Sequence, residues 1–307
     1  MSVPTASDKL LDEFRSRPTI RAGSLIITVF GDAIAPRGGT VWIGSLINAL
    51  SAFGVSERLV RTSVFRLVRD DWLDVDQVGR RSYYRLTDEG ARRFEQATRR
   101  IYGEPRQSWT GDWCLVLLTG LEAEHRELLR KELGWQGFAA ISSNLLAHPS
   151  HSSTELERTL KSLDLERDVV VMQGRTLGKN QDAAMRALVH KSWNLDEIDR
   201  HYESFIAQFR PVWRAVEKTS ACKPQAAFEI RTLMIHEYRR TLLRDPLLPA
   251  EMLPPGWHGT AAYQLCRNLY RLVYRQADDY LTAGFETADG PLPPPAPEFF
   301  RRFGGLD

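Results

Sequence analysis

Cysteine is scarce in this chain. The three present, Cys114, Cys222 and Cys266, are odd in number and far apart, so neither a disulfide framework nor a CxxC zinc module is supported. A reducing, cytoplasmic setting is expected. Secretory h-regions and apolar runs of membrane-spanning length are also missing, which predicts a protein with no membrane partner. Net charge is almost absent: 41 Lys and Arg against 39 Asp and Glu leave +2 over 307 residues. Any affinity for nucleic acid must therefore come from a local basic face. A hydrophobic content of 43% is enough for the cores of two or three domains.

Catalytic motifs are lacking too. No GxSxG elbow occurs. His236-Glu237 begins like a zincin helix, but position 240 is Arg where the second His is required. Gly174 to Lys179 follows an expected strand, yet Gly174 and Gly178 are one residue too close for a phosphate-binding loop and Asn180 follows the lysine. No catalytic residue, metal ligand or cofactor is assigned, and the chain is read as a non-enzyme.

What is present is concentrated between Ser56 and Arg85, SERLVRTSVFRLVRDDWLDVDQVGRRSYYR. Ser56 is placed to N-cap a helix in which Val60, Val64, Leu67 and Val68 recur at helical spacing and face a core. Arg58, Thr62, Phe65, Arg66 and Arg69 fall on the opposite face, with Arg61 at its flank, where Glu57 is a possible partner. Guanidinium forks suit phosphates and guanine edges, and an aromatic suits thymine methyls. Alternating residues then flank a tip of Gly79, Arg80 and Arg81, a basic β-hairpin. Tyr83 either stacks in a groove or braces the hairpin, and Phe65 either meets DNA or packs beneath it. Helix plus basic hairpin is the winged helix-turn-helix pattern, with Arg58, Arg61, Thr62, Arg66, Arg69, Arg80, Arg81 and Tyr83 as DNA-binding candidates.

In chain order, residues 1 to about 20 read as a mobile leader. Ser24 to Phe30 is rich in β-branched residues, but its place before a Gly31 to Gly39 turn and an amphipathic Val41 to Phe53 segment argues for a helix. Trp42, Leu46, Ala49, Leu50 and Phe53 share a face of that second segment, and Gly54 ends it. Thr87-Asp-Glu-Gly caps a further helix to about Tyr102, and a linker runs from Glu104 to Gly111. Strands at Trp113 to Leu118, Gly137 to Ile141 and Asp168 to Met172, with helices at Glu122 to Leu133 and Ser153 to Leu163, form a split βαβ pattern. Long helices follow at 195–217, 224–244 and 259–284, separated near Pro246 to Pro255. The end, PLPPPAPEFFRRFGGLD, reads as an extended Pro-rich tail. The fold class expected is α+β: a winged helix-turn-helix at 20–103, a ferredoxin-like domain at 109–178, an all-helical effector and dimerisation domain at 180–285, and a tail at 286–307. Small CRISPR-associated nucleases share the middle topology and place an Asp after the first strand; here Asp112 precedes it, so a metal-dependent nuclease is an alternative by fold analogy alone.

His236, Arg239, Arg240 and Arg244 recur at i+3, i+4 and i+8 spacing, an arrangement able to clamp an anionic effector. An internal salt-bridge network tying helices together explains the same spacing equally well.

Four stretches, SLIITVFGDAIAPRGGTVWIGSLINAL, SERLVRTSVFRLVRDDWL, GRRSYYRLTDEG and IRTLMIHEYRRTLLRDPLLPAEMLPPGW, resemble the PaaX family of bacterial phenylacetic-acid catabolism repressors. The resemblance spans about residues 22 to 285. It implies a homodimer on palindromic double-stranded operator DNA, released by phenylacetyl-coenzyme A or a related acyl-coenzyme A. A regulator tuned to another acyl thioester or aromatic ligand, and an activator, are the alternatives within it.

Overall fold

The computed structural model describes residues 2–104, 109–149, 153–176, 182–219 and 222–306. Half of the expected linker, 105–108, and the end of the Gly174 to Asn180 stretch, 177–180, lie outside the described residues. The chain divides into two compact units, one of residues 1–104, 203–240 and 260–307, the other of 105–202 and 241–259.

The first unit begins with α1, Val3–Arg15, capped by the Ser2 hydroxyl. Ala6, Leu10, Leu11 and Phe14 recur at helical spacing and are buried, and the Phe14 ring meets Phe53 edge-on at 6.2 Å. The expected mobile leader is therefore corrected: an apolar stripe amid polar residues makes it a core helix. α2, Ala22–Val29, is helical despite its β-branched residues. Leu25, Ile26 and Val29 are at most 1% exposed, so tertiary burial overrides propensity. The expected turn after it is also corrected. A π-helical turn at Phe30–Ile34 and a 3-10 turn at Ala35–Arg37 continue the helix, and only Gly38 and Gly39 turn back.

β1, Thr40–Trp42, precedes α3, Ile43–Ser51, and α4, Glu57–Arg69. The sequence placed 41 and 42 in the helix, but Val41 pairs with Tyr84 across a strand that lies some forty residues on. β2, Leu73–Val78, and β3, Arg81–Leu86, are antiparallel, and the sheet order is β1-β3-β2. Gly79, φ +62°, takes the first central position of the two-residue turn, where a primed hairpin turn needs positive φ. α5, Asp88–Tyr102, is capped by Thr87, whose hydroxyl accepts from the Gly90 amide at 2.8 Å.

In the second unit β4, Asp112–Leu117, α6, Ala123–Trp135, β5, Ala139–Ser142, β6, Leu145–Pro149, α7, Ser153–Ser162, and β7, Val170–Arg175, follow in that order. The four strands pair antiparallel as β5-β6-β4-β7, which is the split βαβ pattern. β6 has no counterpart among the expected strands. One face of the sheet packs Val116 and Leu146 on Leu129, Leu133, Leu156 and Leu160 from α6 and α7. The other packs Trp113 and Ala147 against Val189, from α8, Asp182–Ser192, and Trp193.

Three long helices follow: α9, Leu195–Thr219, α10, Pro224–Leu242, and α11, Gly259–Gly284. The tail is a correction. Residues 286–291 form a short hairpin, β8, Glu286–Thr287, and β9, Gly290–Pro291, and Pro297–Gly304 is a 3-10 segment. Phe299, Phe303 and Leu306 are buried in the first unit, so aromatic and Leu anchors override what proline composition suggested. No helix among the described residues is long and apolar enough to cross a membrane.

Candidate nucleic-acid interface

α4 is set by its cap and its stripe. The Ser56 hydroxyl accepts from the Leu59 amide at 3.3 Å, and Val60, Val64 and Leu67 turn inward while Val68 is half-buried. Arg58, Arg61, Thr62, Phe65, Arg66 and Arg69 are exposed on the other side. Phe65 is 68% exposed, so it does not pack beneath the hairpin. A solvated phenyl ring beside guanidinium groups is an unusual surface, because large aromatics are normally retained inside.

The arginines of this face are not equivalent. Arg61 is ion-paired with Glu57 at 2.7 Å, as its flank position allowed, and Arg69 bonds Asp70 at 3.0 Å. Arg58, Arg66 and Arg80 have no carboxylate partner among the described residues, and all three are exposed. On the hairpin, Arg85 bonds Asp74 and lies near Asp76, at 2.6 and 3.2 Å. Arg81 lies over the Trp42 ring, 4.4 Å from its centre, and bonds Glu286 at 2.6 Å. The Thr62 hydroxyl donates to the Arg58 carbonyl at 2.9 Å, which leaves its oxygen lone pairs and methyl facing outward.

Tyr83 is the exception. It is 5% exposed and sits opposite Trp42 and Asp76 in the sheet. An enclosed ring cannot stack in a groove. It braces the hairpin, and its assignment as a DNA contact is withdrawn.

The expected effector cluster is not one helical face. α10 ends at Leu242, so Arg244 is off the helix that carries His236, Arg239 and Arg240. Thr28 donates its one hydroxyl proton to the Ser24 carbonyl, so its oxygen accepts from Arg239 at 3.1 Å and from His236 Nδ1 at 3.0 Å. His236 is 4% exposed. Burial, reinforced by Arg239 and Arg240, pushes its pKa down to about 3. A neutral, enclosed imidazole cannot clamp an anion. Arg240 bonds Glu237, which also holds Arg17 at 2.6 Å. The internal-network reading describes these three side chains.

Arg244 instead rims a cleft of about 400 Å³ within the second unit, with Phe138, Trp193, Asn194, Glu197 and His201 among its lining. The Trp193 indole donates to the Gly137 carbonyl at 2.8 Å, which fixes the aromatic wall. Gly137, φ +91°, allows the Pro246 carbonyl to approach: a Cβ there would meet it at 2.9 Å.

The largest feature that sequence reasoning missed lies in the core of the first unit. Asp32, 3% exposed, accepts from Arg231 Nε at 2.6 Å, Arg302 Nη1 at 2.9 Å, Tyr102 at 2.7 Å and Tyr270 at 2.9 Å. Burial alone would raise its pKa, but Arg231 and Arg302 more than offset this and hold it below the usual carboxylate range. Arg231 also bonds Asp278, as does Arg37, both at 2.8 Å. The signal was available: Asp32 is a lone charge in an apolar stretch, and a buried charge must find partners.

Asp112, the residue on which the nuclease alternative turned, bonds Thr110 and Arg175 at 2.8 and 3.1 Å; these two hold its pKa down. Among the described residues no group of three or more His, Cys, Asp or Glu is placed to hold a metal. The cysteines are free and buried, and burial pushes the thiols of Cys114 and Cys222 up to about 11.

Three family descriptions match successive parts of the chain: "PaaX-like protein" over 21–90, "PaaX protein central Cas2-like domain" over 106–186 and "PaaX-like protein C-terminal domain" over 193–283. A solved structure, the uncharacterized protein Rv0674 from Mycobacterium tuberculosis, shares the fold with a TM-score of 0.50 and 21% identity, over 77% of this chain and 90% of its own. The transcriptional repressor PaaX of Escherichia coli (strain K12) is 40% identical over 285 residues, 92% of this chain and 90% of its own length. With that identity over nearly the whole of both sequences, and all three family segments matched in order, the chain belongs to the PaaX family.

Proposed function

We propose that this protein is a transcriptional repressor that binds operator DNA through a winged helix-turn-helix at 20–103. α3 and α4 form the helix pair, and the β2-β3 hairpin is the wing. The observation that carries the reading is the α4 face, where Arg58 and Arg66 lack carboxylate partners among the described residues and stand beside an exposed Phe65. Cations without internal partners remain available for phosphates and guanine edges, and Phe65 for a thymine methyl. Arg80 at the wing tip adds a backbone contact. Two protomers would set their α4 helices in successive major grooves, roughly 34 Å apart, on a palindromic site.

The ferredoxin-like segment, 109–178, and the helical segment, 180–285, would carry sensing and dimerisation. The effector proposed is phenylacetyl-coenzyme A, which the resemblance to the PaaX family implies. Its site is the cleft rimmed by Arg244: Phe138 and Trp193 suit an aryl group, and Arg244 with His201 suits phosphate. Binding there would release DNA by favouring a dimer geometry that no longer fits the operator.

The test is a titration of labelled DNA from the protein's own upstream region, with and without the thioester, using free phenylacetate and free coenzyme A as controls. Release by the thioester alone is expected, and Arg244→Ala should require at least tenfold more thioester while binding DNA normally. A wild-type protein that ignores the DNA contradicts the repressor reading. Unchanged thioester response in Arg244→Ala removes the cleft.

A further inference from the structure

The chain end, left without a role by the sequence, runs from the wing to the centre of the first unit. At the inner end Arg302 is locked: it bonds Asp32 and Tyr270, its guanidinium lies 4.0 Å from the Tyr102 ring centre, and it is 5% exposed. Along the way the Ala296 amide donates to the Pro36 carbonyl at 2.8 Å and Arg37 donates to the Pro293 carbonyl at 2.9 Å. At the outer end the Glu286 amide donates to Ser45 Oγ on α3 at 3.0 Å, and its carboxylate accepts from Arg81 at 2.6 Å.

These two ends differ in kind. The Arg302 anchor is dry and multiply bonded. The Arg81–Glu286 pair is half-exposed on both sides, 50% and 48%, and an ion pair in that setting holds weakly and opens readily to a competing anion. Arg81 is nevertheless aimed, by the Trp42 ring over which it lies. A carboxylate and a phosphate offer a guanidinium the same paired oxygens.

We propose that the C-terminal segment is a tethered competitor of DNA at the wing, with the Glu286 carboxylate occupying the position on Arg81 that a backbone phosphate takes in the complex. The proposal rests on the DNA-binding reading above. The buried anchor keeps the competitor at high effective concentration, so Glu286 sets the wing's affinity without leaving the molecule. Its removal frees a cation that the wild-type protein must first unpair.

The experiment measures DNA affinity against salt for the full-length wild type, Glu286→Gln and Asp289→Asn. The last removes the same charge from the same hairpin, at a residue that bonds Thr287 through its backbone amide and forms no ion pair with Arg81 among the described residues. Glu286→Gln should bind more tightly than Asp289→Asn at low salt. Its plot of log affinity against log salt should steepen by about 0.9, so that its advantage shrinks roughly three- to fourfold between 50 and 200 mM salt. In an Arg81→Ala background the gain from Glu286→Gln should vanish. Equal gains in the two charge variants, a gain that survives Arg81→Ala, or a neutral Glu286→Gln each overturn the proposal while leaving DNA binding intact. No salt-dependent binding by the wild type overturns both.

Discussion

On the outer face of α4, Arg58 and Arg66 stand in solvent without a carboxylate partner among the described residues. In the core of the same unit Arg231 and Arg302 are 1% and 5% exposed, and the side chain and carbonyl of Asp32 hold both. One residue type thus serves two ends. A guanidinium left in water keeps its charge available to a partner, whereas one withdrawn from water must be matched donor by donor or it destabilises the fold. Burial of the pair, more than place in a basic run, separates an arginine of the scaffold from one of the proposed interface.

The largest effect is expected at the buried arginines. Asp32→Ala leaves Arg231 and Arg302 facing each other without their shared carboxylate and should cost about 3 to 5 kcal/mol of unfolding free energy. Urea unfolding followed by circular dichroism measures this, and a loss below about 1 kcal/mol would mean that the network is not what holds α2, α10 and the tail together.

A smaller effect tests the same distinction with a group that titrates. His236 is neutral when folded, with its pKa pushed from 6.5 to about 3. The unfolded chain therefore binds the extra proton across that interval. Its contribution to stability is complete above about pH 6.5 and is lost as pH falls toward about 3. His236→Gln should flatten the pH dependence of the unfolding midpoint between 6 and 4. An unchanged slope would place the acid sensitivity elsewhere.

How much of this was legible in advance depended on range. α4 could be read because its determinants are local: Ser56 caps it, and Val60, Val64 and Leu67 are spaced by the helix itself. The split βαβ pattern was legible for the same reason, apart from β6, a short strand ending in Pro149. β1 was hidden because Val41 depends on Tyr84. The tail was hidden because the partners of Arg302 lie 270 residues away at Asp32, while its prolines, local and numerous, suggested an extended chain. Within the candidate sites spacing identified the exposed face of α4, but it could not tell every guanidinium with a carboxylate from one without. That is why Arg69 and Arg66 looked alike, and why His236, which spacing grouped with Arg244, proved to be a core residue.

The central claim is that exposed arginines without internal partners bind DNA. It is tested most directly by the salt dependence of operator binding in a protein carrying Arg58→Ala, Arg66→Ala and Arg80→Ala together. The account predicts an unfolding midpoint close to wild type and a slope of log affinity against log salt that is shallower by about two to three, one increment for each phosphate no longer neutralised. A folded triple variant with the wild-type slope would contradict it.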